Sequence, residues 1–141
     1  MTTNEENKAI VRRFYKAFET LDLQGLNDVL APDLVAYNPQ AQNRDVHIEG
    51  IIGWNSMFGE NQFEILEQIA ERDLVASQVM LRCTHSKGAF DGIAPSGTKI
   101  EALAVTLERI RDGKIVERRV FSNMERALKP LREAALQAAS S

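Results

Sequence analysis

The chain has 141 residues, with 17 basic and 20 acidic side chains, a formal net charge of -3 and one cysteine. This length fits a single domain, the balanced charge argues against the basic face of a nucleic-acid-binding module, and one cysteine excludes an intramolecular disulfide. There is no apolar run long enough to span a membrane and no signal-peptide pattern, so we expect one cytoplasmic domain over residues 1–141.

Two helices are predicted near the N-terminus. Between residues 4 and 21 the apolar side chains recur at the spacing of one helical face. Asn4 is the expected N-cap of this helix, and the two glutamates that follow it suit the positive end of the helix dipole. Asp22 is the expected N-cap of a second, short helix over residues 23–30, which Pro32 cannot continue.

The segment that follows mixes short elements. Residues 34–37 favour a short strand closed by Asn38 and Pro39, whereas residues 40–49 are polar and are predicted to be irregular. In residues 51–60 the apolar side chains share one face, which favours a short third helix despite two glycines.

The pattern then changes to extended segments. A glycine-rich loop precedes the third strand, Asp112-Gly113 is a strong hairpin signal between the last two, and the tail after Pro130 is predicted to be helical. Helices followed by a meander predict an α+β fold, in which a curved antiparallel sheet carries the N-terminal helices on its concave face. Such a cone-shaped α+β barrel encloses a pocket. The predicted strands cover residues 63–71, 74–85, 99–110 and 114–124.

Four segments resemble one known family. They read VRRFYKAF at 11–18, LVAYNP at 34–39, FDGIAPSGTK at 90–99 and RIRDGKIVE at 109–117. The last two are similar to an F-x-G-x-x-P-[ST]-G-x loop and an R-[IV]-x-D-G-K-I-x-E hairpin of the SnoaL-like polyketide cyclase family, within the nuclear transport factor 2-like superfamily. The resemblance implies the α+β fold of that superfamily and a pocket for a small apolar or aromatic molecule.

The resemblance also implies cofactor-free acid–base chemistry, because the cyclases of this family use an Asp of the last strand and no metal or cofactor. At the matching position this sequence has Asn123, and Arg119 stands where the family has Trp. A side-chain amide cannot remove a proton as a carboxylate does. Three functions therefore stay open: a cyclase- or isomerase-like enzyme acting on a carbonyl- or ring-bearing metabolite, a binding module without catalysis, and a dimeric interaction module.

Side chains of the last strand are the candidate chemical groups. The resemblance implies that Glu117, Arg119, Phe121 and Asn123 share the face that looks into the cavity. In this interpretation Asn123 and Arg119 stabilise an oxyanion and His85 is the base. The alternatives are an exposed ion pair between Glu117 and Arg119, and a hydrogen-bonded His85 at a strand end.

Aromatic side chains of other elements are the expected pocket wall. Tyr15, Tyr37, Trp54 and Phe58 are candidates for contact with the ligand, since aromatic rings pack well against rings. Ordinary core packing is the alternative for each of them. His47 is expected to be exposed in the polar loop, and no spacing of His, Cys, Asp and Glu predicts a metal site.

The open face of the sheet is the candidate dimer interface. Sheets of this fold pair through their exposed faces, which the resemblance extends to this chain. Leu107, Val120 and Met124 are the expected apolar patch on that face. The expected partner is a second copy of the chain.

Overall fold

A computed structural model describes residues 2–140 of the chain. Helix α1 spans Asn4–Thr20, and its N-cap is Thr3 rather than the predicted Asn4. The Thr3 hydroxyl accepts a hydrogen bond from the backbone N–H of Glu6, and the Glu6 carboxylate accepts one from the backbone N–H of Thr3. This reciprocal capping satisfies two N–H groups at the helix start, which explains why the helix begins at Asn4.

A short helix and a strand follow without a linker. Helix α2 spans Leu23–Val29, and the Asp22 carboxylate caps it by accepting from the Gly25 N–H at 3.0 Å, as predicted. Strand β1 covers Leu30–Tyr37 and is therefore longer than the strand predicted at 34–37. Buried Leu30 and Leu34 anchor the strand in the core.

The prediction of an irregular segment at 40–49 is wrong. Strand β2 covers Ala41–Asn43, and helix α3 begins directly after it and spans Arg44–Met57. The Asn43 side chain accepts a hydrogen bond from the Val46 N–H at 2.9 Å and caps this helix. The first turn of α3 is polar, so the apolar period that marks a helix begins only after the helix has started.

The remaining strands form the long meander that the sequence predicts. They are β3 at Gly59–Glu71, β4 at Leu74–Thr84, β5 at Lys99–Arg111 and β6 at Lys114–Ser122. Helices α4 at Met124–Ala127 and α5 at Lys129–Ser140 follow β6. The six strands form one curved sheet in the order β2-β1-β6-β5-β4-β3. All neighbours are antiparallel except β1 and β6, which pair in parallel, so the expectation of a wholly antiparallel sheet is wrong for that pair.

A one-residue β-bulge interrupts the β5–β6 hairpin. Next to the Asp112-Gly113 turn, Ile110 pairs with Ile115, but Arg109 then pairs with Glu117 and Glu108 with Arg118. Val116 is the extra residue on β6. Because alternate residues of a strand face opposite sides, one extra residue exchanges the faces of every later side chain on β6.

The core lies between the helices and the concave side of the sheet. One cluster, which includes Phe14, Leu26 and Ile115, packs α1 and α2 against the sheet. A second cluster, which includes Phe58 and Leu131, packs the end of α3 and the C-terminal helices against the other end of the sheet. The predicted α+β fold, a curved sheet with the N-terminal helices on its concave face, is confirmed. Its extent as one domain over the whole chain stays a prediction.

Candidate functional site

A cavity of about 270 Å³ lies between α1, α3 and the concave face of the sheet. Its walls are mostly apolar, and it is partly open to solvent. Its polar side chains come from α1, α3, β5 and β6, and also from β2 and the turn after β1. The lining residues are Tyr15, Phe18, Asn38, Gln42, His47, Gly50, Ile51, Trp54, Phe63, Val79, Leu81, Ala102, Ala104, Thr106, Arg118, Val120, Ser122 and Met124.

Arg118 is the buried cation of this pocket. Its side chain is 7% exposed, and its Nε lies 3.1 Å from a carboxylate oxygen of Glu108, which is fully buried. The guanidinium carbon also lies 4.5 Å from the centroid of the Phe14 ring. Glu108 and Arg118 are direct cross-strand partners, so the register set by the bulge creates this ion pair.

A hydrogen-bonded network joins α1 to these strands. The Tyr15 hydroxyl lies 2.8 Å from the Thr106 hydroxyl, which donates to Glu108 Oε1 at 3.1 Å. Arg118 Nη2 donates to the Tyr15 oxygen at 3.1 Å. The four side chains therefore form a closed polar group at the base of an apolar pocket, and we call it the polar floor.

Burial changes the acidity of two members of the polar floor. It raises the pKa of Glu108 to about 7, against the opposing effects of Arg118 and Thr106. It also raises the pKa of Tyr15, so this hydroxyl stays protonated throughout the physiological range.

His47 lies beside the polar floor on α3. Its ring stacks on Phe14 with a centroid distance of 6.2 Å and an interplanar angle of 10°. The side chain is buried, and Nε2 has no hydrogen-bond partner within the described part of the chain. Burial, together with the nearby charge of Arg118, lowers the pKa of His47 to about 4, so the imidazole is neutral at physiological pH. An uncharged imidazole with a free nitrogen on the pocket wall is suited to contact a ligand.

A second polar chain fixes the position of Trp54 in the pocket wall that α3 forms. Its indole N–H donates to Asn61 Oδ1 at 2.8 Å, and the amide of Asn61 donates to Asn55 Oδ1 at 3.2 Å. Phe58 stacks on the far side of the Trp54 ring at a centroid distance of 4.1 Å. The Trp54 ring is thus held as a flat wall, which suits a planar ligand.

The sequence of residues 9–131 matches the model of the SnoaL-like polyketide cyclase family. The chain belongs to the SnoaL-like polyketide cyclase family. No curated protein sequence matches it significantly.

Solved structures agree with this membership. AclR from Streptomyces galilaeus, a candidate hydroxylase, is 29% identical with a TM-score of 0.84, over 93% of this chain and 98% of that one. IdmH from Streptomyces antibioticus, a candidate polyketide cyclase, is 26% identical with a TM-score of 0.81, over 89% of this chain and 97% of that one. A Mycobacterium tuberculosis epoxide hydrolase shares the fold at 15% identity, with a TM-score of 0.72 and 98% of each chain covered. The chain is thus a small-molecule-binding domain of the nuclear transport factor 2-like fold.

In this SnoaL-like chain, the part of β6 that was predicted to face the cavity points outward instead. Arg119 and Phe121 are exposed on the outer side of β6, and the Arg119 guanidinium carbon lies 4.3 Å from the centroid of the Tyr37 ring. Glu117 forms an ion pair with Arg119 at 3.1 Å. Glu117, Arg119 and Phe121 do not line the cavity, so the prediction that they face it is wrong, and the bulge at Val116 is the reason. Tyr37, which was predicted to contact the ligand, also lies outside the lining, with its ring beside Arg119. The exposed ion pair that the sequence left as an alternative is the observed arrangement.

The other predicted residues divide between the pocket and its surroundings. Tyr15 and Trp54 line the cavity, whereas Phe58 lies behind Trp54. His85 is fully buried outside the cavity lining, with Nε2 2.7 Å from the Gly88 carbonyl oxygen. Asn123 also lies outside the lining: its side-chain oxygen accepts from the Leu103 N–H at 2.9 Å, so it anchors the end of β6 to β5. The structure therefore does not bring His85, Arg119 and Asn123 together.

Sequence reasoning missed four polar residues of the SnoaL-like site: Arg118, Glu108, Thr106 and His47. One signal was present, because Glu108 alternates in phase with apolar Ala102, Ala104 and Ile110 on β5. An acid on an otherwise apolar strand face needs a partner, and Arg118 on the next strand is the only nearby cation of the correct phase once the bulge is counted. His47 was missed because α3 was expected to begin after it.

Three further features concern metal binding, membrane spanning and the single cysteine. In residues 2–140, no three or more His, Cys, Asp or Glu side chains are grouped so that they could hold a metal ion. No helix in that range is long and apolar enough to cross a membrane. Cys83 is buried on β4, where burial raises the pKa of its thiol to about 12.

Proposed function

We propose that the chain is an enzyme that acts on a carbonyl- or ring-bearing metabolite by acid–base chemistry without a cofactor. The observation that carries the proposal is the pairing of a buried cation, Arg118, with a neutral His47 on one apolar pocket. An apolar wall with a few convergent polar groups is the usual design of a site for small molecules.

Arg118 is the group that would stabilise negative charge on a substrate oxygen. Removing a proton next to a carbonyl places negative charge on that oxygen, and a fixed cation in a low-dielectric site lowers the energy of this state. The Phe14 ring and the Glu108 carboxylate hold the guanidinium in place, so little reorganisation is needed.

His47 is the group that would accept the proton. Its pKa of about 4 is close to the ordinary pKa of a carboxylate, which is roughly 4 in model peptides. The neutral imidazole therefore offers the pocket about the same basicity as an ordinary aspartate side chain. This supports an acid–base role even though the sequence has Asn123 at the position of the Asp of the family's cyclases.

The cavity volume supports a compact substrate. Its volume of about 270 Å³ lies just below the range for ligand pockets, roughly 300–1,000 Å³. The aromatic walls, Trp54 among them, favour a ligand with one or two rings. AclR and IdmH, a candidate hydroxylase and a candidate polyketide cyclase, support a ring-bearing metabolite as the substrate class.

The test is proton exchange on a panel of enolisable aromatic ketones and esters in deuterated water. The wild-type protein should accelerate exchange next to the carbonyl of at least one compound. His47→Gln should reduce this rate on the order of 100-fold, the scale of a lost general base. The double variant Arg118→Met with Glu108→Gln should reduce it similarly, and it leaves no unpaired charge in the core. Exchange that survives both substitutions would contradict the proposal.

A non-catalytic binding module is the second candidate, and the amide of Asn123 favours it. This side chain holds β6 to β5 and leaves the family's carboxylate position without an acid. A compound that binds in the pocket and is recovered without isotope exchange would support this function over the first.

We also propose that the chain forms a homodimer through the outer face of its sheet. Val105 and Phe121 are cross-strand partners there, and they are 42% and 59% exposed. Leu107 lies on the same face and is half-buried, but Val120 and Met124 line the pocket instead of the predicted patch. Contiguous apolar side chains on an open sheet favour contact with a second copy.

A further inference from the structure

The polar floor connects the pocket with a buried acid that the ligand cannot reach. Tyr15, Thr106 and Arg118 line the cavity, but Glu108 does not, and it is fully buried behind them. Hydrogen bonds connect the Tyr15 hydroxyl to Glu108 through the hydroxyl of Thr106.

When Glu108 is ionised, the number of available protons fixes the direction of the hydrogen bonds between Tyr15, Thr106 and Glu108. A carboxylate only accepts, so Thr106 must use its single proton on Glu108 Oε1. The Thr106 oxygen then accepts from Tyr15, whose own oxygen accepts from Arg118 Nη2. In this state the Tyr15 proton points away from the pocket, and Tyr15 has no proton left for a ligand.

The direction reverses when Glu108 carries a proton. Protonated Oε1 donates to the Thr106 oxygen, and the Thr106 proton turns to the Tyr15 oxygen. The Tyr15 hydroxyl is then released to donate into the pocket. Glu108 Oε2 still faces Arg118 Nε at 3.1 Å, so the ion-pair contact does not prevent this state.

We infer that Glu108 is a positioning residue whose proton decides, through Thr106, whether Tyr15 presents a hydrogen-bond donor to the ligand. The same row of hydrogen bonds can pass a proton from Glu108 to a ligand oxyanion. Tyr15 gives its proton to the ligand oxygen, Thr106 gives its proton to Tyr15, and Glu108 gives its proton to Thr106. The products are a neutral ligand hydroxyl, two restored side-chain hydroxyls and a Glu108 carboxylate. This use in catalysis rests on the proposed function, but the switch itself belongs to the free protein.

The charged surroundings allow Glu108 to change its state near neutral pH. Arg118 faces it from β6 and Tyr15 approaches from α1, while His47 on α3 lies near Arg118. Its partner on β4 is Val75, which has no charge. Burial outweighs Arg118 and raises the pKa of Glu108 to about 7. His47 and Tyr15 titrate well outside the neutral range, so Glu108 is the member of this group that changes there.

NMR of protein labelled at the ζ carbon of tyrosine tests the inference without any ligand. The chain has two tyrosines, so Tyr37→Phe leaves the signal of Tyr15 alone. In this background the Tyr15 resonance should show one titration step near pH 7, because its hydroxyl changes partner as Glu108 ionises. Glu108→Gln, whose amide donates like the protonated acid, should remove the step and hold the resonance at its low-pH position.

Thr106 variants separate a hydrogen-bonded relay from a change in charge alone. Thr106→Val keeps the shape but removes the hydroxyl and should abolish the step, whereas Thr106→Ser should retain it. A Tyr15 resonance that does not change with pH, or a step that persists in Glu108→Gln or Thr106→Val, would overturn the inference. Because no substrate is used, failure of the proposed enzyme activity would not change this result.

Discussion

At the residue scale, the site depends on polar side chains whose pKa values burial changes. His47 lines the pocket and Glu108 is buried outside its lining, and burial changes their pKa values in opposite directions. His47 is kept neutral, whereas Glu108 holds its proton more tightly than an exposed glutamate. Burial therefore makes both uncharged forms more favourable near Arg118, which is the fixed charge of the site.

The stability contributed by His47 should depend on pH. Its pKa is lowered from 6.5 to about 4, so the unfolded chain binds the proton more tightly than the folded protein does. Stability should thus rise as pH increases from about 4 to 6.5, by roughly 3 kcal/mol for this difference in pKa. Urea unfolding of wild type and His47→Gln should show a gap between their unfolding free energies that widens by this order. A constant gap would show that His47 is not held neutral.

The stability contributed by Glu108 should depend on pH in the opposite direction. Its pKa is raised from 4.5 to about 7, so the folded protein holds the proton and stability falls as pH rises through that window. The two effects oppose each other between about pH 4.5 and 6.5, so the unfolding free energy of the wild type shows little of either. Only single variants separate them. In urea unfolding between about pH 4.5 and 6.5, the stability of Glu108→Gln should rise with pH more steeply than that of the wild type, because the His47 effect is then unopposed. An equal or shallower slope would contradict a raised pKa of Glu108.

At the element scale, most of the fold could be predicted from sequence because the residues that cap helices and form turns stand next to the elements that they end. Asp22 caps α2, and Asp112-Gly113 turns the last hairpin, as their chemistry predicts. The phase of β6 could not be predicted, since Val116 is an ordinary β-branched residue and nothing local marks it as a bulge. That single residue moved Arg119 and Phe121 out of the pocket and Arg118 into it. The start of α3 was missed because its cap, Asn43, precedes a polar turn.

The cap of α3 should be measurable in stability. Asn43→Ala removes the acceptor for the Val46 N–H and should cost about 1 kcal/mol of unfolding free energy. Asn43→Asp keeps an acceptor oxygen and adds a favourable charge at the helix start, so it should retain wild-type stability or exceed it slightly. Chemical denaturation of both variants checks this, and equal losses in both would contradict a capping role.

At the scale of the whole molecule, the two faces of the curved sheet have different surroundings. The concave face and the helices enclose the pocket, and the outer face presents Val105 and Phe121 to solvent. The general architecture followed from the order of elements in the sequence. The shape of the pocket did not, because its lining comes from three helices, five strands and the turn after β1, and only tertiary packing brings them together.

The outer face should control association. Phe121→Glu places a charge in the proposed interface and should convert a dimer into a monomer at micromolar concentration in sedimentation experiments. Leu136→Glu is the matched control, since Leu136 is 71% exposed on α5, which does not carry the proposed interface. Its sedimentation should equal that of the wild type. A wild type that sediments as a monomer would contradict the dimer.

The central claim is that a ring-bearing molecule binds inside the cavity with its oxygen at the polar floor. Ligand-detected NMR of the aromatic ketone panel against two neighbouring substitutions tests it most directly. Ala104→Trp fills the cavity, whereas Val105→Trp adds the same side chain to the outer face of the same strand. We predict that ketones bind the wild type and Val105→Trp equally and that Ala104→Trp abolishes binding. Equal binding to Ala104→Trp would show that the cavity is not the site.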